Sequence, residues 1–367
     1  MGKLWKKILL LISAIFTCMI VIGGGVKTYA EETIIPTYLG KNGNTSSAST
    51  YRYKLNVNRG KVIVPVQISH AGLAVFEVSP NFPTEGADTA LGVVLSGGSA
   101  IDDSSDWLCV ETSLDNQTVK VQGYAKGACT WNLIFLVMDD DLPDADVTVK
   151  AYQKAMDTGD STLKKGKWDS YFIESDSTAL YKIKTPSSGM LKLEVDIEKG
   201  SSIYNPVLLD SKGRSVLPGS YAKKVNYYGL KKGTYYLRIK NISLYKGGVC
   251  RMRYTFEKIK IASHTKKSNA INLKKGKAVK GIFLPGNKKA EHWYKVNISQ
   301  NQMATVTAST KSNTKNFSLS IYQENGKSVK KFSLKNSKTQ KKVRLKTGMY
   351  YFVIKGSSTG SYSVQWK

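Results

Sequence analysis

Apolar and polar positions alternate along much of this chain. Leu191, Leu193, Val195 and Ile197 are separated by Lys192, Glu194 and Asp196, and Phe317, Leu319 and Ile321 repeat the pattern. A two-residue period puts one set of side chains on a buried face and the other in water, which predicts strands with one wet face. Met252-Tyr254-Phe256 and Tyr362-Val364-Trp366 bracket further strands of this kind. Asn325-Gly326 and Lys212-Gly213 fall between such runs, where glycine supplies the positive φ that a hairpin turn requires. No stretch of twelve residues holds a helical period. The expected fold is therefore all-β, a series of tandem antiparallel β-sandwiches of jelly-roll type.

The N-terminus follows a different pattern. Lys3, Lys6 and Lys7 precede an uncharged, mostly apolar run of 15 residues from Ile8 to Ile22, and Thr28-Tyr29-Ala30 offers small residues where a signal peptidase reads them. This predicts a secretory signal over residues 1–30, cleaved after Ala30. Retention as an anchor is the alternative, but the run is shorter than the ~20 residues that span hydrocarbon. Nothing later in the chain is long and apolar enough to cross a membrane. The expected location is extracellular, or non-covalently held at the cell surface.

Charge then divides what remains. The 367 residues include 55 Lys+Arg and 27 Asp+Glu, a net +28, yet 41% are hydrophobic, too many for a disordered polycation. Residues 31–160 hold 9 Lys+Arg against 17 Asp+Glu, a net −8, whereas residues 161–367 hold 42 against 10, a net +32. The polar segment Gln153 to Asp160 lies at the change of sign and reads as a linker. The expected domains are an acidic β-rich one at 31–155 and two basic ones at 161–262 and 268–367.

The basic part repeats itself at a spacing of 110 to 115 residues. Leu163-Lys164-Lys165-Gly166-Lys167 returns as Leu273-Lys274-Lys275-Gly276-Lys277, and Tyr181-Lys182-Ile183 as Tyr294-Lys295-Val296. Leu230-Lys231-Lys232-Gly233-Thr234-Tyr235-Tyr236 is answered by Leu345-Lys346-Thr347-Gly348-Met349-Tyr350-Tyr351. Lys212-Gly213-Arg214-Ser215-Val216 matches Asn325-Gly326-Lys327-Ser328-Val329 in the same order.

These residues carry a resemblance. A Tyr-Lys-Ile/Val strand, a turn at a polar-Gly pair, a Gly-x-Tyr-Tyr strand and an alternating final strand resemble the bacterial pre-peptidase C-terminal domains, sandwich modules akin to clostridial collagen-binding domains. The resemblance covers both repeats and implies accessory modules that dock secreted proteins onto a polymer, some of them with calcium. The family's protease domain and its acidic calcium ligands are not evident in this sequence. The N-terminal region reads as a diverged sandwich: Val62, Val64, Val66 and Ile68 alternate, Val147 to Tyr152 resembles a closing strand, and Thr130 to Val137 stands where Gly-x-Tyr-Tyr is missing.

Enzyme signatures are weak. Ser161-Thr162-Leu163-Lys164 with Lys346-Thr347-Gly348 has the letters of a serine acyl-enzyme, but Ser-x-x-Lys recurs elsewhere, at 243–246, 263–266 and 328–331 among other places, and the Lys-Thr-Gly is the repeat's own turn. His70, His264 and His292 lack metal-ligand spacing. No cofactor is expected apart from calcium, for which Asp139, Asp141 and Asp144 are the candidate ligands in an acidic loop. Cys109 and Cys129 share a domain in an oxidising compartment, which predicts a Cys109–Cys129 disulfide and a free Cys250.

Tyrosines interleaved with cations in the second domain offer stacking and charge together, and Tyr227, Tyr228, Lys231, Lys232, Tyr235 and Arg238 are the candidate binding residues. Strand periodicity also sends about half of such tyrosines into the core. The expected protein is non-catalytic and attaches to an anionic cell-wall polymer, a glycan or a collagen-like fibre through its basic domains. Export argues against nucleic acid as a physiological partner. The alternative is an exported enzyme or inhibitor whose active part lies in residues 31–160, with the repeats as anchors.

Overall fold

The computed structural model describes residues 27–30, 32–41, 43–55, 61–83, 90–97, 107–114, 116–137, 144–217, 224–244, 246–286, 290–314 and 316–367. Strands dominate these residues, and no α-helix occurs among them. They form three blocks, each with two sheets packed over its own apolar core.

The first block contains β1 (Lys27–Tyr29), β2 (Thr37–Tyr38), β3 (Ser49–Leu55), β4 (Lys61–Ile68), β5 (Gly72–Asn81), β6 (Ala90–Ser96), β7 (Trp107–Leu114), β8 (Val119–Ala125), β9 (Cys129–Val137) and β10 (Ala145–Lys154). The second contains β11 (Asp157–Thr158), β12 (Ser161–Thr162), β13 (Asp169–Ile173), β14 (Thr178–Thr185), β15 (Gly189–Ile197), β16 (Ile203–Leu209), β17 (Val225–Leu230), β18 (Gly233–Asn241) and β19 (Gly248–Lys258). The third contains β20 (Ile271–Asn272), β21 (Val279–Phe283), β22 (Ala290–Ile298), β23 (Gln302–Lys311), β24 (Phe317–Gln323), β25 (Ser328–Ser333), β26 (Thr339–Leu345), β27 (Gly348–Gly356) and β28 (Gly360–Trp366).

One pairing scheme recurs in all three. One sheet runs β3-β10-β5-β8 in the first block, β13-β19-β15-β17 in the second and β21-β28-β23-β26 in the third. The facing sheet runs β1-β4-β9-β6, β12-β14-β18-β16 and β20-β22-β27-β24, with β7 and β25 added at an edge in the first and third. Each facing sheet opens with a short strand paired in parallel, β1 on β4, β12 on β14 and β20 on β22. In the first block β9 occupies the position of the Gly-x-Tyr-Tyr strands β18 and β27, and β10 that of the closing strands β19 and β28. Because β1 covers one edge of β4, cleavage after Ala30 would remove that strand from the sheet.

The alternation seen in the sequence is what fills the cores. Leu191, Leu193 and Val195 of β15 meet Tyr181 and Ile183 of β14, while Lys192 and Asp196 face out. Burial at ~1.5–3 kcal/mol per large apolar side chain drives the sheets together, and the exposed alternate residues carry no such gain. Glycines at positive φ make the turns: Gly213 at 74° after β16 and Gly326 at 85° between β24 and β25.

The blocks are joined by contacts as well as by chain. Between first and second, Leu73, Val75 and Tyr152 pack on Phe172 and Val249. Lys246 pairs with Glu111 and Lys120 with Glu198 across the same junction. Between second and third, Met190, Ile259, Ile282 and Leu284 form a small apolar cluster. There Thr359 Oγ1 accepts from Gly229 N at 2.8 Å and donates to Gly229 O at 2.9 Å.

Candidate functional site

The six residues singled out in the second block do not share a face. Tyr228, on β17, is 4% exposed and lies in the core, where burial pushes its phenol up to about 12. Tyr227, its neighbour, packs into the apolar cluster between the second and third blocks. Tyr235 leans on the core, and its hydroxyl donates to Lys231 O at 3.2 Å. Only Lys231, Lys232 and Arg238 are exposed. Strand parity explains the split: β17 and β18 bury alternate side chains, and docking of the third block covers part of the outer face of β17.

The disulfide expectation changes, and the calcium expectation falls mostly outside the described residues. Cys109, Cys129 and Cys250 are all free thiols. Cys109 on β7 pairs with Leu95 of β6, and Leu95 in turn with Leu133 of β9, so Cys109 and Cys129 are two strands apart and offset by four residues along β9. That is about 9.5 Å sideways and about 13 Å along the strand, well beyond the ~7 Å Cα separation a disulfide spans. Of the proposed calcium ligands, Asp139 and Asp141 lie outside the described residues, while Asp144 is exposed just before β10. Among the described residues no group of three or more His, Cys, Asp or Glu is placed to hold a metal ion.

In the second block the outer face of β15 and β19 is electrostatically closed. Glu194 is bound by Arg253 at 2.6 Å and Lys192 at 2.9 Å, and Asp196 by Lys224 at 2.8 Å and Arg251 at 2.5 Å. These cations hold both carboxyls below the usual carboxylate range. Trp168 lies against the guanidinium groups of Arg253 and Arg251, 4.7 and 5.4 Å from its ring centre. The cations here already have partners. A recess of about 370 Å³ at the junction of the first two blocks is lined by Lys41, Tyr152, Lys154, Glu198 and Arg251 among others.

The third block presents something the sequence did not single out. On the outer face of its larger sheet stand Trp293 of β22, Tyr351 of β27 and Tyr322 of β24. They point outward because His292 and Tyr294, Tyr350 and Phe352, and Ile321 are the buried alternates on those strands. Tyr322 and Lys295 both pair with Tyr351, and Trp293 pairs with Val353. The Trp293 and Tyr322 rings are 6.3 Å apart and inclined by 20°, and the Tyr351 ring is 6.0 Å from Trp293 at 66°.

This cluster is held by charge. Trp293 Nε1 donates to Glu291 at 3.0 Å, and Lys355 closes on the same carboxylate at 2.6 Å, which raises the lysine above its ordinary value. Lys267 sits 4.9 Å from the Tyr351 ring centre while donating to Glu324 O at 2.6 Å. Ser320, on the same face between Val353 and Lys331, is 1% exposed, and its Oγ has no hydrogen-bond partner in the structure. A recess of about 240 Å³ flanks the cluster near Glu291, Ser318 and Lys355. A second, near Lys266, Lys267 and Tyr351, measures about 550 Å³.

No protein-family model matches the chain, and no curated protein does. Among solved structures, the pre-peptidase C-terminal domain of a collagenase from Bacillus anthracis is 11% identical. It covers 33% of this chain and is itself covered to 98%, with a TM-score of 0.22. Tripeptidyl peptidase 2 is 7% identical with a TM-score of 0.23; it covers 90% of this chain, which spans 24% of its length. The human MASP-1/3 CUB1-EGF-CUB2 structure is 9% identical, covers 56% of this chain and 99% of its own, and has a TM-score of 0.18. None of these likenesses assigns a ligand to the chain.

The sequence signal for the aromatic face was present but diluted. Trp293, Tyr322 and Tyr351 come from three separate strands, and only the sheet order β22-β27-β24 brings them together. Local tyrosine density pointed instead to the second block, where many of the rings are core. No helix among the described residues is long and apolar enough to cross a membrane.

Proposed function

We propose that the chain is an exported, non-catalytic binding protein that holds an extracellular glycan polymer against the outer sheet of its third block. The observation that carries this reading is the Trp293–Tyr322–Tyr351 cluster. A solvent-facing sheet usually carries polar side chains, whereas this one gathers three aromatic rings and fixes the indole through Glu291 and Lys355. Aromatic faces offer apolar area with little rotamer entropy to lose, and the flat C–H faces of sugar rings are their natural complement. Export is supported by the basic and apolar N-terminal residues of the sequence.

The test is retention of the full-length protein on insoluble cell-wall material and on immobilised dextran, with Trp293→Ala and Tyr351→Ala as variants. Both side chains are only partly buried, so the variants should fold, which far-UV circular dichroism checks. Each is expected to lose binding by roughly tenfold, in line with ~1–2 kcal/mol for one well-placed aromatic contact. Unchanged retention of both variants would remove the cluster from the binding site.

A further inference from the structure

One side of the third block is lined with cations that have no carboxylate partner among the described residues. Between residues 330 and 344 there are seven Lys or Arg and no Asp or Glu. They follow β25, the connection at 334–338 and β26, which together form the side wall where the two sheets end. Lys331, Lys335, Lys338, Lys341, Lys342 and Arg344 are all exposed, as is Lys330. No ion pair to any of them occurs among the described residues.

The wall is stiff beneath its lysines. Leu334 is buried, and its N–H donates to Phe317 O at 2.9 Å. Asn336 donates to Ser312 O at 2.8 Å and accepts from Ser312 N at 3.1 Å and Thr310 Oγ1 at 3.2 Å. Val343 and Leu345 anchor β26 in the core. On a strand, Lys342 and Arg344 stand on one face about 7 Å apart, at a spacing fixed by the backbone. The wall also adjoins the aromatic face: Lys331 pairs with Ser320 on β24, the strand that carries Tyr322.

Protection of sheet edges against pairing with another chain also uses lysine. That role alone would charge both sides of the block alike. On the opposite side residues 271–283, from β20 through β21, hold four lysines against seven cations in the wall, and of the four Lys280 is paired with Glu257 at 2.5 Å and Lys275 donates to Gln302 at 2.9 Å. The excess lies on the side that borders the aromatic cluster.

We infer that this wall takes the anionic groups of the same polymer whose sugar rings meet Trp293, Tyr322 and Tyr351, so that the ligand is a glycan bearing sulfate or phosphate groups. The inference rests on the proposed glycan-binding role of the aromatic face and adds the ligand's charge and its path around the edge of the block. Charge at fixed positions beside a stacking surface favours a regularly substituted chain over a free ion, and its contribution weakens as salt shortens the screening length.

The experiment uses full-length protein and three soluble probes: dextran sulfate, neutral dextran and inorganic polyphosphate. A wall variant carries Lys335→Gln, Lys338→Gln, Lys341→Gln and Lys342→Gln. A control variant removes the same charge from the second block through Lys165→Gln, Lys167→Gln, Lys182→Gln and Lys184→Gln. The wall variant is expected to lose about tenfold in affinity for dextran sulfate at 0.1 M salt, the control less than twofold, and neutral dextran is expected to bind both equally. Equal losses in wall and control variants would overturn the inference, because charge would then act diffusely. So would unchanged binding of the wall variant, including the case in which it merely self-associates in light scattering, which would leave edge protection as the role of the lysines. Polyphosphate binding as tightly as dextran sulfate would remove the glycan from the inference. Loss of binding in Trp293→Ala with an unaffected wall variant defeats only the inference. Loss in the wall variant with an unaffected Trp293→Ala defeats the proposed aromatic site instead.

Discussion

His292 is a base kept out of water. It is 4% exposed, Phe283 stacks on it at 4.3 Å, and its Nδ1 shares a hydrogen bond with Tyr362 OH at 2.8 Å. The Tyr362 hydroxyl also meets Tyr294 OH at 2.6 Å. Burial, and to a lesser degree the neighbouring His264, pushes the imidazole down to about 4. The folded chain therefore binds this proton less readily than the unfolded chain, whose histidine titrates near 6.5. Stability from this site is complete above about pH 6.5 and declines as pH falls toward about 4, by ~3 kcal/mol over the whole range. Urea midpoints at pH 7, 5.5 and 4.5 should fall more steeply for the parent than for His292→Phe; parallel curves would show that the site contributes nothing to acid sensitivity. The thiols are governed by the same desolvation. Cys109 and Cys250 are 0% and 1% exposed and are pushed up to about 11 and about 12, whereas Cys129 is partly open. Iodoacetamide should reach Cys129 first in the native protein, and all three should label after unfolding without reductant.

At the scale of elements, β17 shows how a strand can serve two neighbours. Its inner side chains Tyr228 and Leu230 belong to the second core, while Gly229 turns its backbone to the third block. A side chain at 229 would strike Phe283 O and Gly360 O, so the position requires glycine for close approach. Thr359→Val keeps the volume of the side chain but leaves Gly229 N–H and C=O unpaired where they are buried. The expected cost is ~1–3 kcal/mol for each orphaned group, seen as a lower thermal midpoint and faster proteolysis of the 259–270 connection. A variant as stable and as resistant as the parent would show that the Thr359 clasp adds no net stability. Strands were readable here because a two-residue period is a local property of β15, β24, β19 and β28. Which side of a strand stays open was not, as Tyr227 and Tyr228 demonstrate: one is closed by its own core, the other by the adjoining block.

At the scale of the whole molecule, the acidic and basic parts meet at a junction of mixed sign. Lys246 and Lys120 pair with Glu111 and Glu198, and Lys41 lies 3.1 Å from Asp157 and 3.6 Å from Asp169. Acid and base are supplied from both sides. The contact is therefore an apolar seam around Phe172 and Val249 with local pairs at its rim, more than an attraction between opposite net charges. Lys246→Glu sets like charges against each other and should cost about 1 kcal/mol, detected as faster trypsin cleavage within residues 153–167. Cleavage at the parent rate would mean the pair does not hold the blocks together. The run of seven exposed cations at 330–344 lies elsewhere, on the third block. Salt should therefore weaken polymer binding while leaving the first junction largely intact.

The amino-acid sequence by itself determined the strand class, the turns at Gly213 and Gly326, the internal repeat and the division of charge, because each depends only on neighbours along the chain. The tertiary structure decided the rest. Cys109 and Cys129 were kept apart by a strand inserted between theirs, and Tyr228 and Tyr227 of the second block were sorted into core and junction. Trp293, Tyr322 and Tyr351 were gathered from three strands, and seven cations were left along one wall without a carboxylate partner among the described residues. A strand's period says that alternate side chains share a face. Whether that face is covered, and which distant residues join it, depends on sheet order and on the neighbouring block, and neither is written in any local stretch of chain.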